Sequence, residues 1–186
     1  MMTSRERLLA AINHQEPDRV PFDLGSTQIT GIHAAAYHPL RAALGLPAVE
    51  AELCDSIQQL ALPHEDILTR LGVDVRGLYP LNSANWNVIE QEAGDYWQYQ
   101  DEWGITHRRP RPDGLYYSII QSPLDRPDLS AQDIQKHTWP NMADPQRIAG
   151  LCELAIQYRA EGYAVVLKDP FAGIFETAQR IVGLGN

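Results

Sequence analysis

The chain has 186 residues, 44% of them hydrophobic, which fits a single globular domain long enough to bury a core without disulfide staples. A formal net charge of −9, from 24 acidic and 15 basic residues, and the absence of a dense basic stripe exclude a protein that tracks a phosphate backbone. No run approaches the ~20 apolar residues that cross a bilayer, and the opening MMTSRERLLAAINHQ carries no apolar signal core; the expected setting is cytoplasmic, with no membrane or nucleic-acid partner.

Thr3 or Ser4 can N-cap a first helix whose apolar stripe is Leu8, Leu9 and Ile12, ended by Pro17. The run Val20-Pro21-Phe22-Asp23-Leu24 reads as a short buried strand closed by Gly25-Ser26-Thr27. Helical spacing from Ile32 to Leu44 is interrupted by Pro39 and capped by Gly45. A looser stretch leads to Pro63 and a helix through Ile67, Leu68 and Leu71 that ends at Gly72, and Val73 to Leu78 follows as a buried strand of the parallel kind.

The middle has another texture. Asn87 to Glu92, Tyr96 to Asp101, Trp103 to Arg109 and Leu115 to Gln121 are aromatic or β-branched runs between Ala-Gly-Asp and Pro-Asp-Gly turns, which predicts an antiparallel meander over 87–121, an excursion from the main fold. Ser130 with Asp133 forms a capping-box pattern, and Asp144-Pro145 starts a long helix with Ile148, Leu151, Cys152, Ala155 and Tyr158 on one face. A strand from Tyr163 to Leu167 and a helix from about Gly173 to Val182 complete another strand-helix unit. Strands alternating with helices indicate an α/β architecture with a parallel sheet, doubly wound or a (β/α)8 barrel, and 186 residues fall short of the ~250 that a closed barrel typically takes.

In chain order, SRERLLAAINHQEPDRVPFDLGS, DSIQQLALPHEDILTRLGVDVRGLYP, WGITHRR with GLYYSIIQSPL, IQKHTWPNMADPQR and GYAVVLKDPFAGIFETAQRIVGL resemble the uroporphyrinogen decarboxylase superfamily. The likeness is greatest to its branch of decarboxylase-like proteins and corrinoid-linked methyltransferases. It implies a (β/α)8 TIM barrel with an N-terminal helical extension, of which 1–186 resembles roughly the first half as one domain. The parent reaction implied is methyl transfer from a methylated small molecule to a corrinoid carrier, with uroporphyrinogen decarboxylation, a lyase reaction of porphyrin metabolism, as the alternative. A second alternative is a truncated or split half without turnover of its own, which pairs its open barrel edge with another copy or with a complementary C-terminal half.

Two departures from the family restrict the choice. The tetrapyrrole decarboxylases hold substrate carboxylates through an arginine-containing stretch just after the first strand, where this chain has Phe22-Asp23-Leu24-Gly25-Ser26-Thr27-Gln28. A turn without a cation cannot pair with a polyanionic porphyrinogen. The methyltransferase branch binds zinc through a His and two Cys in its C-terminal half; neither Cys54 nor Cys152 reproduces that spacing with any histidine, and no metal ligand is carried over. No cofactor is therefore expected within this chain, while a corrinoid protein and zinc belong to a full-length relative. Both cysteines read as small buried hydrophobes, and His33 and His38, five apart across Pro39, do not make a metal pair.

Barrel chemistry lies in the loops after the C-terminal ends of the strands, which selects Asp23, Arg76, Tyr79, Lys168, Asp169 and Glu176. Asp23 is a candidate catalytic base and equally a cap for the turn at Ser26-Thr27. Arg76 and Tyr79 are candidates for binding an anionic or aromatic substrate, with a surface charge as the plain reading of Arg76. Lys168 and Asp169 are substrate-binding candidates or a simple ion pair. Phe171 and Gly173 match the family's pocket wall, and Glu176 is either catalytic or a carboxylate favoured by the helix N-terminus. The aromatic run Tyr96, Trp97, Tyr99, Trp103, Tyr116 and Tyr117 lines a cavity or packs across strands.

Overall fold

The computed structural model describes residues 1–84, 86–168 and 173–183. In chain order it holds α1 (Ser4–Ile12), β1 (Ile32–His33), α2 (Ala34–Ala43), β2 (Leu53–Asp55), β3 (Leu60–Ala61), α3 (Glu65–Leu71) and β4 (Val75–Leu78). Then come β5 (Gln91–Ala93), β6 (Tyr96–Gln100), β7 (Thr106–Pro110), β8 (Ser118–Gln121) and α4 (Ala131–Lys136). The described chain closes with α5 (Leu151–Ala160), β9 (Ala164–Leu167) and α6 (Ile174–Val182). The fold is mixed α/β, and its described strands form three separate sheets, in the orders β1-β3-β2, β4-β9 and β5-β6-β7-β8, none of them a closed barrel.

The chain divides into two compact units, one of Met1–Pro80 with Gly150–Lys168, the other of Leu81–Ala149 with the described residues 173–183. The sequence treats 1–186 as one domain with an excursion over 87–121; the meander is there, but the unit that contains it extends well beyond those bounds.

The first unit is built on the parallel pair β4 and β9, aligned Val75 with Ala164 through Leu78 with Leu167. Thr3 caps α1 in a capping box, donating its N–H to Glu6 at 2.8 Å and accepting the Glu6 N–H at 3.2 Å. Gly72, at φ 64°, stops α3 in the left-handed conformation that a Cβ disfavours, and the chain turns directly into β4. Tyr37, Ala61, Ile67, Leu68 and Val73 form the buried apolar cluster between α2, α3 and the small antiparallel sheet. Arg41 on α2 grips Asp66 on α3 with two bonds of 2.7 Å and adds Pro47 O at 2.9 Å, so the helix pair is clamped by a bidentate fork as well as by packing.

Asp74, whose side chain is fully buried, ties the N-terminal segment to β4. Its carboxylate accepts from Arg7 Nη1 at 2.6 Å, Arg19 Nη1 at 2.7 Å and the Phe22 N–H at 2.8 Å, while its own N–H donates to Phe22 O at 2.8 Å. Burial alone would raise this carboxyl, but the Phe22 N–H, Ser4, Arg19 and Arg7 outweigh it and hold it below the usual carboxylate range. Arg7, itself nearly buried, also pairs with Asp18 at 2.6 Å.

Two expectations are corrected here. The strand expected at Val20–Leu24 is not formed: Pro21 has no N–H to offer a ladder, Val20 is 83% exposed, and the segment's backbone link to β4 is the Phe22 bond just described. The long helix expected from Pro145 is broken. A 3-10 turn at Pro145–Ile148 ends before Gly150, whose φ of 74° starts a separate helix, α5. Pro39, by contrast, lies within α2 without ending it.

The second unit carries the four-stranded antiparallel sheet. Tyr99 pairs across strands with His107; their rings stack at 4.9 Å, and Tyr117 meets Tyr99 edge-on at 4.8 Å. Cross-strand packing is thus the role of Tyr99 and Tyr117, whereas Tyr116 is exposed. His107 Nε2 lies 2.8 Å from Asp101, whose other oxygen accepts the N–H groups of Trp103 and Ile105, and Arg147 forms a buried pair with Glu102.

Asp74→Asn leaves two guanidiniums short of their anion. Because Arg7 keeps Asp18 and Arg19 is half exposed, the loss of folding stability should fall at the low end for a broken buried pair, about 3 kcal/mol, read from urea denaturation. Asp18, held down to about 2 chiefly by the Arg7 hydrogen bond, titrates lower in the folded chain than in the unfolded one. Its contribution is complete above about pH 4 and is lost as pH falls towards 2; a urea midpoint that stays level across that window contradicts this assignment.

Candidate functional site

Side chains alternate along a strand, and residues aligned in a parallel pair point the same way, so Val75, Gly77, Ala164 and Val166 share one face of the β4–β9 pair. Continuing that alternation past the strand ends places Tyr79 and Lys168 together on the same face, at the C-terminal edge. The Lys168 Nζ is 5.7 Å from the centre of the Tyr79 ring and donates to Cys54 O at 3.2 Å, while the Lys168 N–H continues the ladder to Leu78 O at 2.9 Å.

Gly77 makes room for this arrangement. A Cβ there would stand 2.7 Å from Ser26 O and 2.8 Å from both Ser26 Cα and the Tyr79 ring, so the turn after Asp23 can lie against β4 only because this position has no side chain. Asp23 caps that turn: its carboxylate accepts the Ser26 N–H at 3.2 Å, the Ser26 hydroxyl at 2.5 Å and the Thr30 hydroxyl at 3.0 Å. Three donors to one carboxylate make it a fixed anchor of the loop, which is the structural alternative raised for it from sequence.

The Tyr79 hydroxyl is buried beside the Cys54 thiol, a weak partner, and makes no well-formed hydrogen bond among the described residues. Burial above all, then the neighbouring Cys54 thiol and the charge of Asp23, push its pKa far up, so it stays a neutral O–H donor. The Cys54 thiol is also pushed up by burial, against a smaller opposing pull from Lys168. It donates weakly to Ala61 O at 3.6 Å and is no ready thiolate nucleophile. The chemistry available at this edge is a cation, a neutral phenol donor and a protonated thiol: a set suited to holding and polarising a group.

The other candidates fall elsewhere. Arg76 alternates to the opposite face of β4, where its buried guanidinium binds Glu65 at 2.6 and 2.9 Å, donates to Val73 O and Val75 O, and stacks on Tyr163 at 3.6 Å. These contacts link β4 to α3, and they are the surroundings in which the structure places the Arg76 named from sequence as a substrate-binding candidate. Gly173 and Glu176 belong to the second unit. Glu176, half exposed, pairs along α6 with Arg180. Gly173, at φ 86°, lines an apolar hollow of about 530 Å³ with Trp103, Trp139, Met142, Thr177 and Ile181; it can receive an apolar group but offers no acid or base. Asp169 and Phe171 lie outside the described residues.

The sequence gives no sign of Cys54 at this site, since nothing in its local sequence ties it to Tyr79; its nearness to Tyr79 and Lys168 is a tertiary contact. Among the described residues no group of three or more His, Cys, Asp and Glu side chains could hold a metal, Cys152 is exposed on α5, and the described residues do not fit the zinc site of the methyltransferase branch.

Since an orphaned buried hydroxyl costs folding energy, Tyr79→Phe should stabilise the chain by about 1 kcal/mol, and a urea midpoint lowered by this change would show that the hydroxyl has a partner after all. Comparison with protein-family models, with curated proteins and with solved structures gives no match to this chain.

Proposed function

We propose that this chain is a uroporphyrinogen decarboxylase-like protein in which β4 and β9 are neighbouring strands of a (β/α)8-type sheet, working in the cytoplasm on methyl transfer from a methylated small molecule to a corrinoid carrier. The observation that carries this reading is the in-register parallel pair β4–β9, with α5 on the connection between them and Tyr79 and Lys168 just past its C-terminal edge. That is where barrel enzymes keep their working groups, and the antiparallel sheet is then an insertion after β4.

The accounting of arginines favours methyl transfer over tetrapyrrole decarboxylation. Of the seven arginines in the first unit, Arg7 and Arg19 are committed to Asp74, Arg41 to Asp66 and Arg76 to Glu65, which leaves Arg5, Arg70 and Arg159, and the turn at 23–28 has no cation. A substrate with many carboxylates requires several free guanidinium forks. Tyr79 and Lys168 are in this reading the substrate-positioning residues, and Asp23 supports the loop beside them.

A second reading, association without turnover, draws on the outer edge of β9: this strand pairs only with β4 among the described residues, and Leu167 at its end is 60% exposed. One experiment addresses both. The purified chain, supplied with methylated phenols or amines and a reduced corrinoid protein, should convert the cob(I)alamin spectrum to that of methylcobalamin, and should release no carbon dioxide from uroporphyrinogen. Absence of methylation in a sample that light scattering finds to be a dimer, dispersed by Leu167→Lys, would replace the first reading with the second.

A further inference from the structure

The face of the β4–β9 pair that carries Tyr79 and Lys168 presents donors without matching acceptors. Lys168 is half-buried, and among the described residues one of the three N–H bonds on its ammonium is used, on Cys54 O, and no carboxylate pairs with it. The Tyr79 ring centre is 5.7 Å from that ammonium, and its buried O–H makes no well-formed hydrogen bond among the described residues. Elsewhere in the first unit the chain pairs its buried cations closely, Arg7, Arg41 and Arg76 each within 2.7 Å of a carboxylate oxygen, so an ammonium turned towards an unsatisfied phenol is a departure from the pattern. Both groups stand beyond the C-terminal ends of parallel strands, the edge at which ligands bind in α/β sheets.

We propose that Lys168 and Tyr79 together recognise the carboxylate of a small monoanionic organic acid. One carboxylate oxygen accepts from the ammonium and the other from the phenol, which gives each donor a charge-assisted bond. Asp23, anchored in the adjacent turn and close enough for its charge to act on Tyr79, opposes a second negative charge and selects a monoanion over a phosphate dianion. Placed on the reading above, this makes the methyl donor an acid; the binding itself requires no methyl transfer.

The test is binding of benzoate, its neutral isostere benzamide and inorganic phosphate to the full chain by calorimetry at low ionic strength. Benzoate should bind at least about tenfold more tightly than benzamide and than phosphate, a margin set by one charge-assisted contact. Lys168→Met, which keeps the apolar stem, should bring benzoate and benzamide to equal affinity, and Tyr79→Phe should weaken benzoate about tenfold without unfolding the chain. Equal affinity for benzoate and benzamide in the unaltered protein, a preference that survives Lys168→Met, an unchanged affinity in Tyr79→Phe, or phosphate binding as tightly as benzoate each overturns the proposal. Benzoate binding in a chain that moves no methyl group would sink the methyl-transfer reading and leave this site standing; methyl transfer without benzoate preference would do the reverse.

Discussion

A single carboxylate removed from water organises the first unit. Asp74 stands at the mouth of β4 and gathers a guanidinium from α1, another from the segment after it and the backbone of Phe22. The segment at 20–24 forms no ladder with β4, since Pro21 breaks the run of N–H donors, and Asp74 supplies its link to the strand through both its carboxylate and its own N–H. The buried charge is tolerable because it is saturated: two cations and one backbone N–H surround it, and each cation has a further acceptor, Asp18 and Met2 O for Arg7 and Gly72 O for Arg19.

That economy extends to function. Arg7, Arg19, Arg41 and Arg76 are committed to internal carboxylates, and among the described residues Lys168 is the cation placed beside Tyr79 at this edge. Arg76 and Lys168 looked equivalent in sequence, each a basic residue near the end of a strand. Their fates differ because strand alternation turns Arg76 to the helix side, where Glu65 and Tyr163 receive it, and turns Lys168 to the other.

What the sequence disclosed was whatever rests on local chemistry. An N-cap at Thr3 or Ser4, the capping box at Ser130, the Gly72 stop, the β4 and β9 strands and the four-stranded meander all follow from residues within a few positions of one another. Features that depend on distant partners were not legible. The Asp74 network joins positions far apart in the chain, and Cys54 reaches Tyr79 by tertiary placement alone. The break before α5 is marked in sequence by Gly150, although the apolar periodicity of Ile148, Leu151 and Ala155 runs across it as if the helix were continuous. At the candidate site the residues were picked out by their place after strands, while their roles were set by which face each occupies.

The first unit is also discontinuous along the chain, since β4 ends before the antiparallel sheet begins and β9 comes after it. During synthesis Val75 emerges long before Ala164, its partner in register, whereas each strand of the meander finds its neighbour almost at once. The sheet of the second unit can therefore close on the ribosome while β4 is still waiting with an apolar edge uncovered. Nascent chains stalled short of β9 should then be the ones that chaperones hold.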